Sequence, residues 1–262
     1  PLLEEGGFLW LPMSDGLFDS RGHLAMQSEQ IEAARAAIRL PQEFEQLNNP
    51  DRFHCHSLFE YRYPCGPWGI TITSGIDHTH GFQVHGIARV VHRLRRWIGA
   101  ETLSGMHMEL RDEECSVLVT YQQFSDSLQA YWKVGGAPNL WLNKIADGLF
   151  IAVLFVPEDS KATMTRGCIY IDPDAWGAME FQPFLNRLRN LSIQNSEEDK
   201  PFIESQARFL DQGELPIGNA SINDAPVYHF FRYLEQMTGK HIDFGYARVS
   251  AQEVVAKNFW RS

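Results

Sequence analysis

The sequence predicts an α+β fold, a mostly antiparallel central sheet with helices flanking it and concentrated toward the C-terminus. Three observations carry that expectation. Strand-like segments cluster in the middle of the 262-residue chain. One of them, residues 149–156, is continuously apolar, as in a strand buried on both faces. Beyond Asp174 the apolar residues recur instead at three- and four-residue spacing, the signature of helices with one buried face. The chain reads as a single globular domain over 1–262. Gly135-Gly136-Ala137-Pro138 is the candidate boundary if two lobes, 1–135 and 136–262, exist.

The elements follow in order. Residues 7–12 read as a short buried strand that Pro12 ends. Residues 25–39 read as a helix with Met26, Ile31, Ala34 and Ile38 on one face, stopped by Pro41. Residues 58–74 are rich in β-branched and aromatic side chains and read as strand, broken by a turn at Pro64-Cys65-Gly66-Pro67. Residues 86–98 form the clearest helix: Ile87, Val90, Val91, Leu94 and Ile98 on one side, Arg89, His92, Arg93, Arg95 and Arg96 on the other. Strands are expected at 116–121, 128–134, 149–156 and 167–171, the last closed by Asp172-Pro173. Three amphipathic helices end the chain. They begin near Phe181, Phe202 and Val227, with a charged break at residues 195–201 and a polar loop at 213–226.

Composition narrows the function. Apolar residues make up 44% and charged residues 21%, which is ordinary globular usage and argues against wholesale disorder. The net charge of −10 repels nucleic-acid phosphates and anionic lipid, so neither a nucleic-acid nor a membrane partner is expected, and a basic protein partner is favoured. Cys55, Cys65, Cys115 and Cys168 match neither a zinc knuckle nor a redox CxxC, and are expected as reduced thiols in the cytoplasm. The longest apolar stretch, residues 148–156, is too short to span a bilayer, and no basic segment precedes an apolar one at the N-terminus.

Catalytic patterns are sparse. The chain has neither a G-x-S-x-G elbow nor a Walker P-loop, and no cysteine sits in a nucleophile signature. Histidine is the most suggestive residue type, because His54-Cys55-His56 and His78-Thr79-His80 are both H-x-H pairs. On a strand, residues two apart share a face, so each pair could offer two imidazoles to one metal ion. Ile76-Asp77-His78-Thr79-His80-Gly81 resembles the I-D-x-H-x-H-G strand end of the amidohydrolase superfamily of metal-dependent hydrolases. It lacks one residue between Asp77 and His78, which would turn the aspartate away from the histidines. The histidines are therefore expected to be hydrogen-bonded loop and strand-edge residues, with no metal and no cofactor.

Acidic clusters are the stronger feature. Asp112-Glu113-Glu114 and Glu197-Glu198-Asp199 read as charged loops, and residues 145–225 carry most of the negative excess. By elimination and charge, the chain is expected to be a non-enzymatic binding protein, of the kind of a bacterial immunity protein that neutralises a basic toxin. Asp112, Glu113, Glu114, Glu197, Glu198 and Asp199 would be its partner-binding residues. The alternative is a metal-dependent hydrolase using the H-x-H pairs.

Overall fold

The structure is a computed structural model that describes residues 3–5, 8–10, 28–49, 51–77, 80, 84–86, 106–121, 129–134, 139–176, 181–211 and 225–239. Strands β1 (Leu3–Glu5) and β2 (Phe8–Trp10) pair by themselves. Helix α1 (Ser28–Ile38) follows, then β3 (His54–Tyr63) and α2 (Trp68–Ile76). Next come β4 (Met106–Arg111), β5 (Ser116–Tyr121), β6 (Gln129–Lys133), β7 (Leu140–Ala146), β8 (Leu149–Pro157) and β9 (Thr163–Ile171). The short α3 (Pro173–Trp176), the long α4 (Phe181–Asp211) and α5 (Ala225–Thr238) come last. Strands β3 to β9 make one open antiparallel sheet in the order β3-β9-β8-β7-β6-β5-β4, and the helices lie mostly in the C-terminal part. The α+β fold expected from the sequence is the fold observed.

Side-chain alternation assigns each face of this sheet a core. Val117, Val119, Trp132, Leu149, Ile151, Val153, Ile169 and Ile171 face one side and pack with Ile72 and Ile76 of α2, Leu185 of α4 and Phe230 of α5. Their neighbours Leu118, Tyr131, Phe150, Ala152, Cys168 and Tyr170 face the other side, against Leu40, Phe44, Leu47 and Phe53. Strand β8 is apolar without interruption because both of its faces are covered. Strands β6 and β7, on either side of the candidate lobe boundary, pair in this same sheet, while residues 135–138 lie outside the described residues.

Local sequence and tertiary packing disagree in two places that shape the site. Residues 68–74 read as strand, yet Trp68–Ile76 is helical. Its β-branched residues favour strand only weakly, and burial of Ile70, Thr71, Ile72 and Ile76 overrides them. Thr71 Oγ1 donates to Gly66 O at 3.0 Å, and Trp68 Nε1 donates to Phe155 O at 3.0 Å, tying α2 to β8. The charged break at 195–201 is no break: it is the centre of the 31-residue α4. Pro201, the last residue of that expected break, sits inside the helix, where it withdraws one N–H from the ladder.

Strands β1, β4 and β7 escape the sequence reading. Strand β7 is joined to β8 by Asp147-Gly148, with Gly148 at φ 75°, the left-handed backbone that an Asp-Gly hairpin turn requires. Strand β4 pairs with β5 across the tight turn Asp112–Glu114. The helix expected at 86–98 lies outside the described residues, apart from Gly86. Among the described residues no helix is long and apolar enough to cross a membrane.

Candidate metal centre and substrate cavity

Helix α4 crosses the sheet beside β3 and turns Ser192, Asn195, Ser196 and Asp199 toward the same cavity. Spacings of three, four and seven place these residues on one helical face. The stretch read as a solvated charge run is thus split by helix geometry. Glu197 stays exposed, while Asp199 points inward with 13% of its side chain accessible.

His80 and His85, beyond the end of α2, meet that face. His80 Nε2 lies 3.3 Å from Asp199 Oδ1, and His85 Nε2 lies 3.7 Å from the same oxygen. The two rings are 5.1 Å apart at 75° to one another. The three side chains can each offer one ligand atom, all within 4.8 Å of one another. Ligand atoms about 2.1 Å from a shared cation stand roughly 3–3.5 Å apart, so the cluster needs only small adjustment to close on one ion.

Hydrogen bonds leave the right nitrogens available. His80 Nδ1 is bonded to the Asp77 carbonyl, which can only accept, so the proton of neutral His80 sits on Nδ1 and Nε2 carries the lone pair. Nε2 is buried and has no hydrogen-bond partner among the described residues, despite its closeness to Asp199. His85 Nδ1 donates to Glu198 Oε2 at 3.2 Å, which likewise frees Nε2. Glu198 is itself anchored by Gly86 N at 3.1 Å and Gln194 Nε2 at 3.0 Å. A carboxylate that orients an imidazole from behind is the usual outer support of a metal-bound histidine.

The electrostatics fit the same picture. Burial opposes ionisation of Glu198, but the hydrogen bonds from Gln194, Gly86 and His85 outweigh it and hold its pKa below the usual carboxylate range. Burial also disfavours the charged form of His80, yet Asp199 and Asp77 prevail and raise its pKa. Burial, with His80 adding to it, keeps the pKa of His85 below its ordinary value. A buried carboxylate beside two imidazoles, with one nitrogen unpartnered, is a donor set that suits a divalent cation. Two histidines and one carboxylate are the set used by mononuclear non-haem iron.

The cluster opens onto a cavity of about 220 Å³. Phe59 of β3, Trp141 of β7, and Ile151, Val153 and Phe155 of β8 give it an apolar wall, and Asn143 and Thr165 add polar groups. Gly167 lets the wall form, because a Cβ there would overlap the Phe59 ring opposite it on β3.

No protein-family model matches the chain, and no curated protein matches its sequence. Its fold is that of Rieske-type oxygenases among solved structures. The chain is similar to the quaternary ammonium Rieske monooxygenase CntA in an inhibitor complex. The TM-score is 0.58 at 14% identity, over 90% of this chain and 60% of that one. It is similar also to the terminal oxygenase of carbazole 1,9a-dioxygenase from Nocardioides aromaticivorans, with a TM-score of 0.53 at 14% identity, over 91% and 67% of the two chains. Dicamba monooxygenase gives 0.51 at 12% identity, over 92% and 70%. The chain thus spans about three fifths of the length of CntA.

These neighbours overturn the immunity-protein reading, since the fold is one that enzymes use. The structure places the residues expected to bind a partner in different settings. Asp112 accepts a 2.6 Å hydrogen bond from Tyr233 of α5, Glu113 is exposed, and the Glu114 side chain lies outside the described residues. Glu197 faces solvent, whereas Glu198 and Asp199 build the centre. Of the H-x-H pairs, the side chains of His54 and His56 and all of His78 lie outside the described residues. His80 does join a ligand-like cluster, with His85 five residues on. The H-x4-H spacing was legible, but Asp199 lies more than a hundred residues away and only the fold brings it in.

Proposed function

We propose that the chain is the substrate-binding and catalytic part of a mononuclear non-haem iron oxygenase, with His80, His85 and Asp199 as the iron ligands. The convergence of His80, His85 and Asp199, whose ligand atoms lie within 4.8 Å of one another, is the observation that carries this reading. Ferrous iron held by such a set supplies the activation of dioxygen. The protein's own groups do the rest. Glu198 fixes the His85 ring, and the Asp77 carbonyl fixes the His80 ring, so both Nε2 lone pairs are set before any ion arrives. Phe59, Ile151, Val153 and Phe155 keep water from the substrate and hold its carbon skeleton beside the ligands.

A Rieske cluster, from which the structural neighbours take their name, needs two cysteines and two histidines around two irons. Among the described residues no such set assembles: Cys65 lies in the turn before α2, Cys115 precedes β5, and Cys168 is in β9. No step is therefore derived through that cluster. L-carnitine, a substrate of CntA, is a zwitterion. No lysine or arginine is among the described residues lining this cavity, so its carboxylate would find no cationic partner here. A cytoplasmic setting goes with this reading, since the exposed Cys65 forms no disulfide.

The test is metal binding. Purified protein should take up about one equivalent of ferrous iron or cobalt(II), with d–d bands for cobalt, and His80→Ala with Asp199→Ala should abolish it. Stoichiometric metal retained by that double variant, or no binding by the wild type, would remove the proposal.

A further inference from the structure

Gly75, in the last turn of α2, lines the cavity, and the space its side chain would fill is taken by a ring. A Cβ on Gly75 would stand 2.7 Å from Phe155 Cζ, and 3.4 and 3.6 Å from Cε2 and Cε1. The Phe155 ring of β8 therefore points end-on at this residue, nearer than a side-chain carbon would allow. Gly69 of the same helix differs, since a Cβ there would meet nothing within 4 Å. The close approach belongs to the cavity end of α2, not to the helix as a whole.

The surroundings leave the ring one way to yield. Phe155 is 4% exposed, and both polar groups of its backbone are held. Its N–H donates to Asn139 O at 2.8 Å, and its carbonyl accepts from Trp68 Nε1 at 3.0 Å. Trp68 and Gly75 are seven residues apart on one face of α2, so the helix grips the Phe155 carbonyl at its start and takes the ring at its end. The chain entering α2 is pinned as well, because a Cβ on Gly66 would stand 2.7 Å from Ile203 Cγ2 of α4. Protein interiors are close-packed, and a displaced side chain moves to where there is space. The space bordering both Gly75 and Phe155 is the cavity.

We propose that Gly75 is a specificity-determining residue of this cavity, acting on ligand size. By seating the Phe155 ring it keeps part of the 220 Å³ open, and a side chain in its place shifts the cavity toward smaller ligands. Calling the cavity the substrate's rests on the oxygenase reading, whereas the effect on size needs no metal. A leucine at 155 lacks the ring carbons nearest Gly75, so it should make room for an alanine at 75.

Two inert reporters of volume test this on the metal-free full chain by NMR: xenon, which enters apolar cavities of about 150 Å³, and the larger cyclohexane. The wild type should bind both. Gly75→Ala should hold xenon within about threefold of wild type and bind cyclohexane roughly tenfold more weakly or worse. Adding Phe155→Leu to Gly75→Ala should bring cyclohexane back to within about threefold, and Gly69→Ala should change neither reporter. Cobalt(II) uptake by Gly75→Ala should also stay within about threefold, since the ring gives way and not the helix that leads to His80. Should Gly75→Ala fail to fold, Phe155→Leu alone should bind cyclooctane more tightly than the wild type does. Equal weakening of both reporters, unchanged cyclohexane binding, no rescue by leucine, cobalt uptake lost in Gly75→Ala, no gain for cyclooctane, or a wild type that binds neither reporter would overturn the proposal. A wild type that takes up no cobalt would sink the iron assignment alone and leave the reporter results standing.

Discussion

Replacing Glu198 by Gln isolates the support of the metal centre from its ligands. Three donors converge on the Glu198 carboxylate: His85 Nδ1 and Gly86 N on Oε2, and Gln194 Nε2 on Oε1. Glutamine keeps the shape and one acceptor oxygen. If that oxygen stays with His85, the amide NH₂ faces the amide of Gln194, whose exposed side chain can turn away. The damage is then the change of the His85 bond from charge-assisted to neutral, about half its strength, or roughly 1–2 kcal/mol. Carried through to the ion, that is about a 5- to 30-fold rise in Kd, overlapping the range seen when outer-shell partners of metal-bound histidines are removed. The assay is cobalt(II) titration followed by absorbance, with circular dichroism and thermal unfolding as controls. Glu197→Gln is the matched comparison, because that neighbour is exposed and should leave Kd within about twofold. A Glu198→Gln protein that is folded and binds cobalt as the wild type does would refute the argument, as would an equal loss in Glu197→Gln.

Two further predictions concern the scaffold. His229 of α5 is 2% exposed, and burial, with Arg232 nearby, lowers its pKa to about 4. The unfolded chain gains its proton below about 6.5 while the folded one does not until about 4, so this residue removes roughly 3 kcal/mol of stability as pH falls through that window. Urea unfolding at about pH 7 and about pH 4.5 should show a shallower decline for His229→Gln, and an unchanged slope would exclude the residue as the cause. Gly167→Ala should drive the Phe59 ring from its seat, costing about 1–3 kcal/mol and several degrees of Tm. An alanine protein with wild-type Tm would show that the ring has room elsewhere.

What could be read from the sequence alone was whatever period and composition encode. The continuous apolar run of β8 declared a strand buried on both faces, and the pairing of β8 between β7 and β9 shows why. The amphipathic stripe of Phe184, Leu185 and Leu188 declared the first half of α4. The net charge of −10 disfavoured nucleic acid despite the basic side of residues 86–98. The same rules failed where a polar face turns inward. Along α4 the residues Ser192, Asn195, Ser196 and Asp199 repeat at helical spacing, but a polar face is normally the solvent face, so the segment read as a charged break. Strand β7 mixes Asn143 and Lys144 into its apolar positions because Asn143 borders the cavity, and this blurred the alternation by which strands are recognised.

The centre itself shows where sequence reading stops. His80 was singled out, but with His78, because residues two apart meet on a strand. The fold brings it instead against His85. Asp199 and Glu198 were singled out as charges, and nothing in their neighbourhood distinguishes a metal ligand and its brace from a solvated pair. That distinction is made by α4 lying across β3, which buries one side of the helix and leaves Glu197 in water. The sequence by itself determined the fold class, the doubly buried strand β8 and the acidity of this protein, because hydrophobic period and charge are local properties. Only the tertiary structure decided which acids are buried and which histidines they meet, because a site of three residues drawn from two distant segments has no period to read.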